Sequence, residues 1–93
     1  MYRLIICYDI ADDGRREDVS ALLSACGARV QLSVFECTLR SKKVVRALRA
    51  ALRRAIDEDE DQVRIYPVDR ASLEQRYILG RRRLEEQADF YIV

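Results

Sequence analysis

Between Arg29 and Leu39 the stretch RVQLSVFECTL changes the phase of its own alternation. Val30, Leu32 and Val34 are apolar, with Arg29, Gln31 and Ser33 between them. From Phe35 onward the apolar residues are Phe35, Cys37 and Leu39, separated by Glu36 and Thr38. Side chains of a strand alternate between its two faces, and a slip of one residue exchanges the faces. One regular strand therefore cannot hold both phases. The slip marks either a hairpin corner near Ser33–Val34 or a bulge. No Asn-Gly or Asp-Gly occupies the corner, so the turn is of an uncommon kind.

The flanking segments set the order of elements. YRLIICY (2–8) is a β-rich run suited to a central strand covered on at least one face. Asp12 or Asp13 is placed to cap a helix in which Val19, Leu22, Leu23 and Cys26 recur at helical spacing. Gly27 stands just past its end. Ser41 begins a second helix, with an apolar stripe of Val44, Val45, Leu48, Ala51, Leu52, Ala55 and Ile56. DEDED (57–61) reads as a solvated acidic turn. QVRIYPV (62–68) reads as a strand, with Pro67 at its end or on an edge. RYILG (76–80) and DFYIV (89–93) are two further strand-like runs.

If 29–39 is two strands, the order is βαββαβ. This predicts an α+β, ferredoxin-like sandwich in one domain of 1–93, with a core over 1–68 and a C-terminal extension over 69–93 that adds a strand. Both helices cover one face of such a sheet. The other face needs a partner, commonly a second copy of the chain.

Composition narrows the chemistry. The chain has no His, which removes Ser-His and Cys-His nucleophilic schemes and His-based zinc sites. Metal chemistry must then use oxygen ligands, which suits Mg²⁺, Mn²⁺ or Ca²⁺. Cys7, Cys26 and Cys37 are odd in number, widely spaced and in apolar phases, so they read as reduced core thiols. No apolar run is long enough to span a membrane and the first residues lack a cleavage site, so a cytoplasmic location is expected.

Charged residues make up 35% of the chain while the net charge is only +1, so charge is arranged in patches. Arg15 and Arg16 fall in the first turn of helix one, where a helix N-terminus favours anions and disfavours cations. Lys42, Arg46, Arg49 and Arg53 form one stripe on helix two, and Arg81, Arg82 and Arg83 a third cluster. Acids bunch at 57–61 and 85–86. The clusters are either solvated faces that balance these acids or a surface for a polyanion. Asp9 ends the first strand, where a carboxylate can bind a metal, cap the next helix or contact a loop. Alone it is a poor metal site, and a two-fold axis would supply a second copy. Tyr8 and Phe35 are aromatic residues that either stack on a base or pack in a core or interface.

Taken together, YDI (8–10), DDGRR (12–16), RVQLSVFEC (29–37), VRIYPV (63–68) and the final YIV resemble the second CRISPR-associated protein (the Cas-two family) across essentially the whole chain. The resemblance implies a ferredoxin-like homodimer, built sheet against sheet, whose C-terminal strand reaches across to the other protomer. It implies a Mg²⁺ site between two symmetry-related aspartates, mapping onto Asp9. It also implies metal-dependent endonuclease activity on single-stranded RNA or duplex DNA, and a role in spacer acquisition as the scaffold that partners the CRISPR integrase. The positions it points to are Tyr8, Asp9, Arg15 or Arg16, Arg29 and Phe35. On this reading the register break carries Phe35 to the dimer cleft, beside Asp9 and Arg29. A non-catalytic DNA-binding adaptor competes with the nuclease reading, and a small-molecule regulatory domain on the same fold stands further off.

Overall fold

Residues 1–80 are described by the structure, a computed structural model. Four strands, β1 (Tyr2–Asp9), β2 (Gly27–Gln31), β3 (Val34–Leu39) and β4 (Gln62–Val68), alternate with helices α1 (Asp13–Ser24) and α2 (Lys42–Ala55), and a short helix α3 (Arg70–Glu74) follows. The sheet is antiparallel throughout, in the order β2-β3-β1-β4. This is the expected βαββαβ arrangement, an α+β ferredoxin-like fold.

The phase slip is both a corner and a bulge. β2 ends at Gln31 and β3 begins at Val34, with Gln31 opposite Val34 and Leu32–Ser33 as the turn. No described non-glycine residue has positive φ, so the turn is not one of the mirror-image types that require it. A register shift between Arg29 and Gln31 leaves Val30 as the extra residue and supplies the local twist instead. Only the second phase faces the helices. Phe35, Cys37 and Leu39 are buried, whereas Val30 and Leu32 are exposed.

Alternation sorts the remaining strands in the same way. Leu4, Ile6 and Tyr8 of β1 join Val19 and Leu23 of α1 and Leu48 and Leu52 of α2 in the core. Arg3, Ile5, Cys7 and Asp9 belong to the opposite, open face, together with Val34, Glu36, Gln62, Arg64 and Tyr66. Asp12 and Ser41 cap α1 and α2, accepting from the backbone N–H groups of Arg15 and Val44.

Several expectations need correction. Gly27 is no helix cap. α1 ends at Ser24, and Gly27 opens β2 opposite Cys37, where a Cβ would stand 2.0 Å from the Glu36 carbonyl oxygen. Glycine is required there by close backbone approach. Gly27→Ala is expected to lower stability by about 1–3 kcal/mol in chemical denaturation, since β2 must move to admit the methyl group. RYILG forms no ladder within the described chain: α3, capped by Asp69, precedes it, and Tyr77, Ile78 and Leu79 are exposed. Cys7 lies on the open face and not in the core. DFYIV and Arg81–Arg83 lie outside the described residues.

Candidate functional site

The carboxyl end of β1 gathers most of the candidate residues but divides them between the two faces of the sheet. Tyr8 points to the core. Its N–H donates to the Ser33 carbonyl at 3.1 Å and its hydroxyl to the Leu32 carbonyl at 3.3 Å, fastening the hairpin turn to the end of β1. Its ring stacks on Phe35 at 6.3 Å between centroids. Arg29 lies over the Phe35 ring, with its guanidinium carbon 5.3 Å from the ring centroid, and donates to the Ser20 hydroxyl on α1. Tyr8, Phe35 and Arg29 thus form one stack on the helix side.

Phe35 is completely buried, so it does not line a cleft beside Asp9. Its phase faces the helices, whereas Asp9 belongs to the other phase and the other face. Tyr8 and Phe35 position the hairpin and the end of β1. Arg29 is engaged on α1 and does not reach the carboxylate.

Asp9 is different in kind from the acids around it. Asp12 caps α1, Asp13 pairs with Arg16, and Asp61 is buried in an ion pair. Asp9 is exposed on the open face opposite Gln62 and accepts no side-chain hydrogen bond or ion pair among the described residues. Capping is therefore performed by Asp12, and Asp9 is left free. No group of three or more Cys, Asp or Glu side chains is placed to hold a metal among the described residues. Asp9 from one chain is at most half of such a site.

Arg15 and Arg16 are not presented to solvent as a phosphate cradle. Arg15 donates from Nε to Asp61 at 2.7 Å, from Nη2 to the other oxygen of Asp61 at 3.2 Å, and to Glu60 at 3.3 Å. Asp61 belongs to the acidic run expected to be a solvated turn, yet its side chain has no exposed surface. It also accepts from the backbone N–H groups of Ala11 at 3.0 Å and Asp57 at 2.9 Å. The Arg15 hydrogen bond is the main cause that holds the Asp61 carboxyl well below the usual carboxylate range, against burial, and it raises the Arg15 guanidinium further. A buried carboxylate needs its counter-charge, and Arg15 supplies it. Arg16 bridges Asp13 and the Ile10 carbonyl, which it meets at 2.8 Å.

Two residues were missed from sequence. Asp61 fastens the loop after β1 to the turn before β4. Arg64 stands on the open face, with its guanidinium held by Gln62 at 2.8 Å and by the Tyr66 hydroxyl at 3.2 Å. The alternation of Gln62, Arg64 and Tyr66 against Val63 and Ile65 was the signal for it.

The sequence model of the family described as CRISPR associated protein Cas2 matches residues 1–76. The chain is 45% identical to a protein named CRISPR-associated endoribonuclease Cas2 3 from Synechocystis sp. over 80 residues, 86% of either chain. It superposes on the crystal structure of Streptococcus pyogenes Cas2 with a TM-score of 0.73 and 29% identity, covering 84% of this chain and 99% of that one. It also superposes on a chain of a partial Cas6-RT-Cas1–Cas2 complex with a TM-score of 0.74 and 28% identity, covering 85% and 91%. The phase-slipped hairpin, the β1 strand that ends in Asp9 and the β4 strand all lie within the matched span, and the chain belongs to the CRISPR-associated protein Cas2 family.

Proposed function

We propose that the chain acts in CRISPR adaptation as a homodimer that joins open sheet faces, binds nucleic acid and the integrase, and cuts phosphodiester bonds at Asp9. The observation that carries this reading is Asp9 itself: among the described residues it is an exposed carboxylate without a partner, at the margin of a sheet face that no described helix covers, whereas Asp12, Asp13 and Asp61 have structural partners. The Synechocystis relative is named an endoribonuclease, and a structural neighbour belongs to an assembly with Cas1. Both support the reading. Among the described residues no helix is long and apolar enough to cross a membrane.

Mg²⁺, or Mn²⁺ in its place, fits Asp9 as a hard oxygen donor, because such ions are held by one or two carboxylates with water in the remaining positions. Asp9 of the partner subunit would complete the site across a two-fold axis. When bound, the metal lowers the pKa of a coordinated water and offsets charge on the phosphodiester. The chain's own contribution is positioning. Tyr8 fixes the end of β1 against the hairpin, and the Arg15–Asp61 pair fixes the loop that follows. Arg64, oriented by Gln62 and Tyr66 on the same face, offers a guanidinium to a phosphate oxygen. Arg29 is too far engaged on α1 for that role. Arg81, Arg82 and Arg83 are proposed as further phosphate contacts.

The test is cleavage of labelled single-stranded RNA and duplex DNA by the purified protein, with Mg²⁺, with Mn²⁺ and with chelator. Metal-dependent cutting supports the nuclease. Cutting of neither substrate removes it and leaves a DNA-binding adaptor. The adaptor predicts an affinity for duplex DNA that falls linearly with salt on logarithmic axes.

The pairing of open faces has its own readout in the thiols. Burial pushes the Cys37 thiol up to about 11 and also raises Cys26, so both are expected to label slowly near neutral pH. Cys7 lies on the open face beside Ile5. A covered face protects it, and Ile5→Asp is expected to speed maleimide labelling of Cys7 at least about tenfold. Equal rates in the parent and Ile5→Asp would show that the face is not covered.

A further inference from the structure

Helix α2 carries Lys42, Lys43, Arg46, Arg49, Arg53 and Arg54 and no acid. Lys42 and Lys43 stand in its first turn, where the helix dipole opposes positive charge. Lys42, Arg46, Arg49 and Arg53 follow at spacings of three and four residues, where like charges repel. Arg53 meets Glu58 at 3.6 Å, but Lys42, Arg46 and Arg49 have no ion-pair partner among the described residues. The arrangement works against helix stability in the isolated chain. An anion at this flank would remove the repulsion.

The three cations line a groove of about 340 Å³ between α2 and the β4 side of the sheet. Leu4 and Ile65 from the sheet and Val45 from the helix give it an apolar lining, which Tyr2 and Pro67 continue. Among the described residues α2 leaves this side of the sheet open: on its helix face Ile65 is half-buried and Pro67 is exposed. Cationic and apolar surfaces therefore meet side by side.

We propose that this groove docks a short acidic segment of another protein, with carboxylates on Lys42, Arg46 and Arg49 and apolar side chains on Leu4, Val45, Ile65 and Pro67. A phosphate backbone would satisfy the cations but leave the apolar lining wet. The run from Lys42 to Arg49 rises about 10 Å, the length of about three extended residues, so the segment is short. The described chain leaves α3 on the other side: Arg76 meets Glu36 on the open face at 3.9 Å, away from the groove. The groove is distinct from the Asp9 margin, and its test does not depend on cleavage.

The probe is a fluorescein-labelled octapeptide alternating Glu with Leu, titrated with the full-length protein and followed by fluorescence anisotropy. A Lys-Leu peptide is the control. Arg46→Glu combined with Arg49→Glu is expected to weaken binding at least about thirtyfold, and Tyr2→Ala about fivefold. These residues are exposed, and a thermal melt checks that the variants stay folded. Undiminished affinity in the double variant overturns the proposal, as does equal binding of the Lys-Leu control. If duplex DNA displaces the peptide and Tyr2→Ala has no effect, the groove is a nucleic-acid track instead. If the peptide binds only after Phe90→Asp and Ile92→Asp, the chain's own end occupies the groove and the proposal falls.

Discussion

Asp9→Asn is expected to slow metal-dependent cleavage at least about a hundredfold while leaving the fold unchanged. The two halves of this result come from one observation. Asp9 has no partner within the described chain, so removal of its charge leaves no buried group unsatisfied and the melting temperature should stay within a few degrees of the parent. In the proposed dimer the same change would replace both carboxylates at once, because each copy of the chain would carry it. Neutral amides would hold a hard divalent cation poorly, and the lowered water pKa and charge offset that it would supply would be lost with it. Single-turnover cleavage at several Mg²⁺ concentrations, beside the oligomeric state of both proteins, makes the comparison. A variant that cuts as fast as the parent would remove Asp9 from the chemistry. Because no His is available as a base, the parent's rate should rise with pH across the neutral range.

Asp61→Ala is the second large effect, on stability. The Asp61 side chain has no exposed surface and receives four donors: Ala11 N–H, Asp57 N–H and two from Arg15. Its removal orphans two backbone N–H groups and strands the Arg15 guanidinium against a cavity. The melting temperature is expected to fall by about 15 °C or more, and Arg15→Ala, which leaves the carboxylate buried without its counter-charge, should cost a similar amount. The double variant should lose less than the sum, which identifies the pair as one unit. The pH dependence has a definite sign. The folded Asp61 carboxyl lies below its ordinary value, so its stabilisation is full above the ordinary carboxylate range and is lost as pH falls through the folded value. The gap between parent and Asp61→Ala should therefore be widest near neutrality and start to shrink below about pH 4. A gap independent of pH would mean that the lost packing, and not the charge, sets the effect.

Local signals carried much of the architecture. The phase slip at Ser33–Val34 separated β2 from β3, and Asp12 and Ser41 announced both long helices. These features depend on residues a few positions apart, which is what a sequence displays directly. Asp61 was hidden because its partner Arg15 is 46 positions away, and a run of five acidic residues looks like a solvated turn from one end to the other. Phe35 shows a second limit. Alternation states which residues share a face, but the face that meets the helices is set by tertiary packing, and Phe35 went inward while Asp9 went outward. α3 was passed over because five residues are too few for periodicity, although its Asp69 cap was visible. Gly27 was readable as a special position, but its reason, a carbonyl on the neighbouring strand, was not.

The two borders of the sheet are unlike. β2 has five residues, begins with a glycine pressed against its neighbour and is bent by the bulge at Val30, all of which blunt it as a template for another strand. β4 has seven residues and no bulge against β1, with Pro67 near its end as its one interruption. Backbone groups along Gln62–Tyr66 are the better place for an added strand. Among the described strands only this border is receptive, and a sheet with one such border can gain a neighbour there and has no second to offer. Growth by strand addition stops after one step, so crowding of this chain favours closed assemblies over filaments.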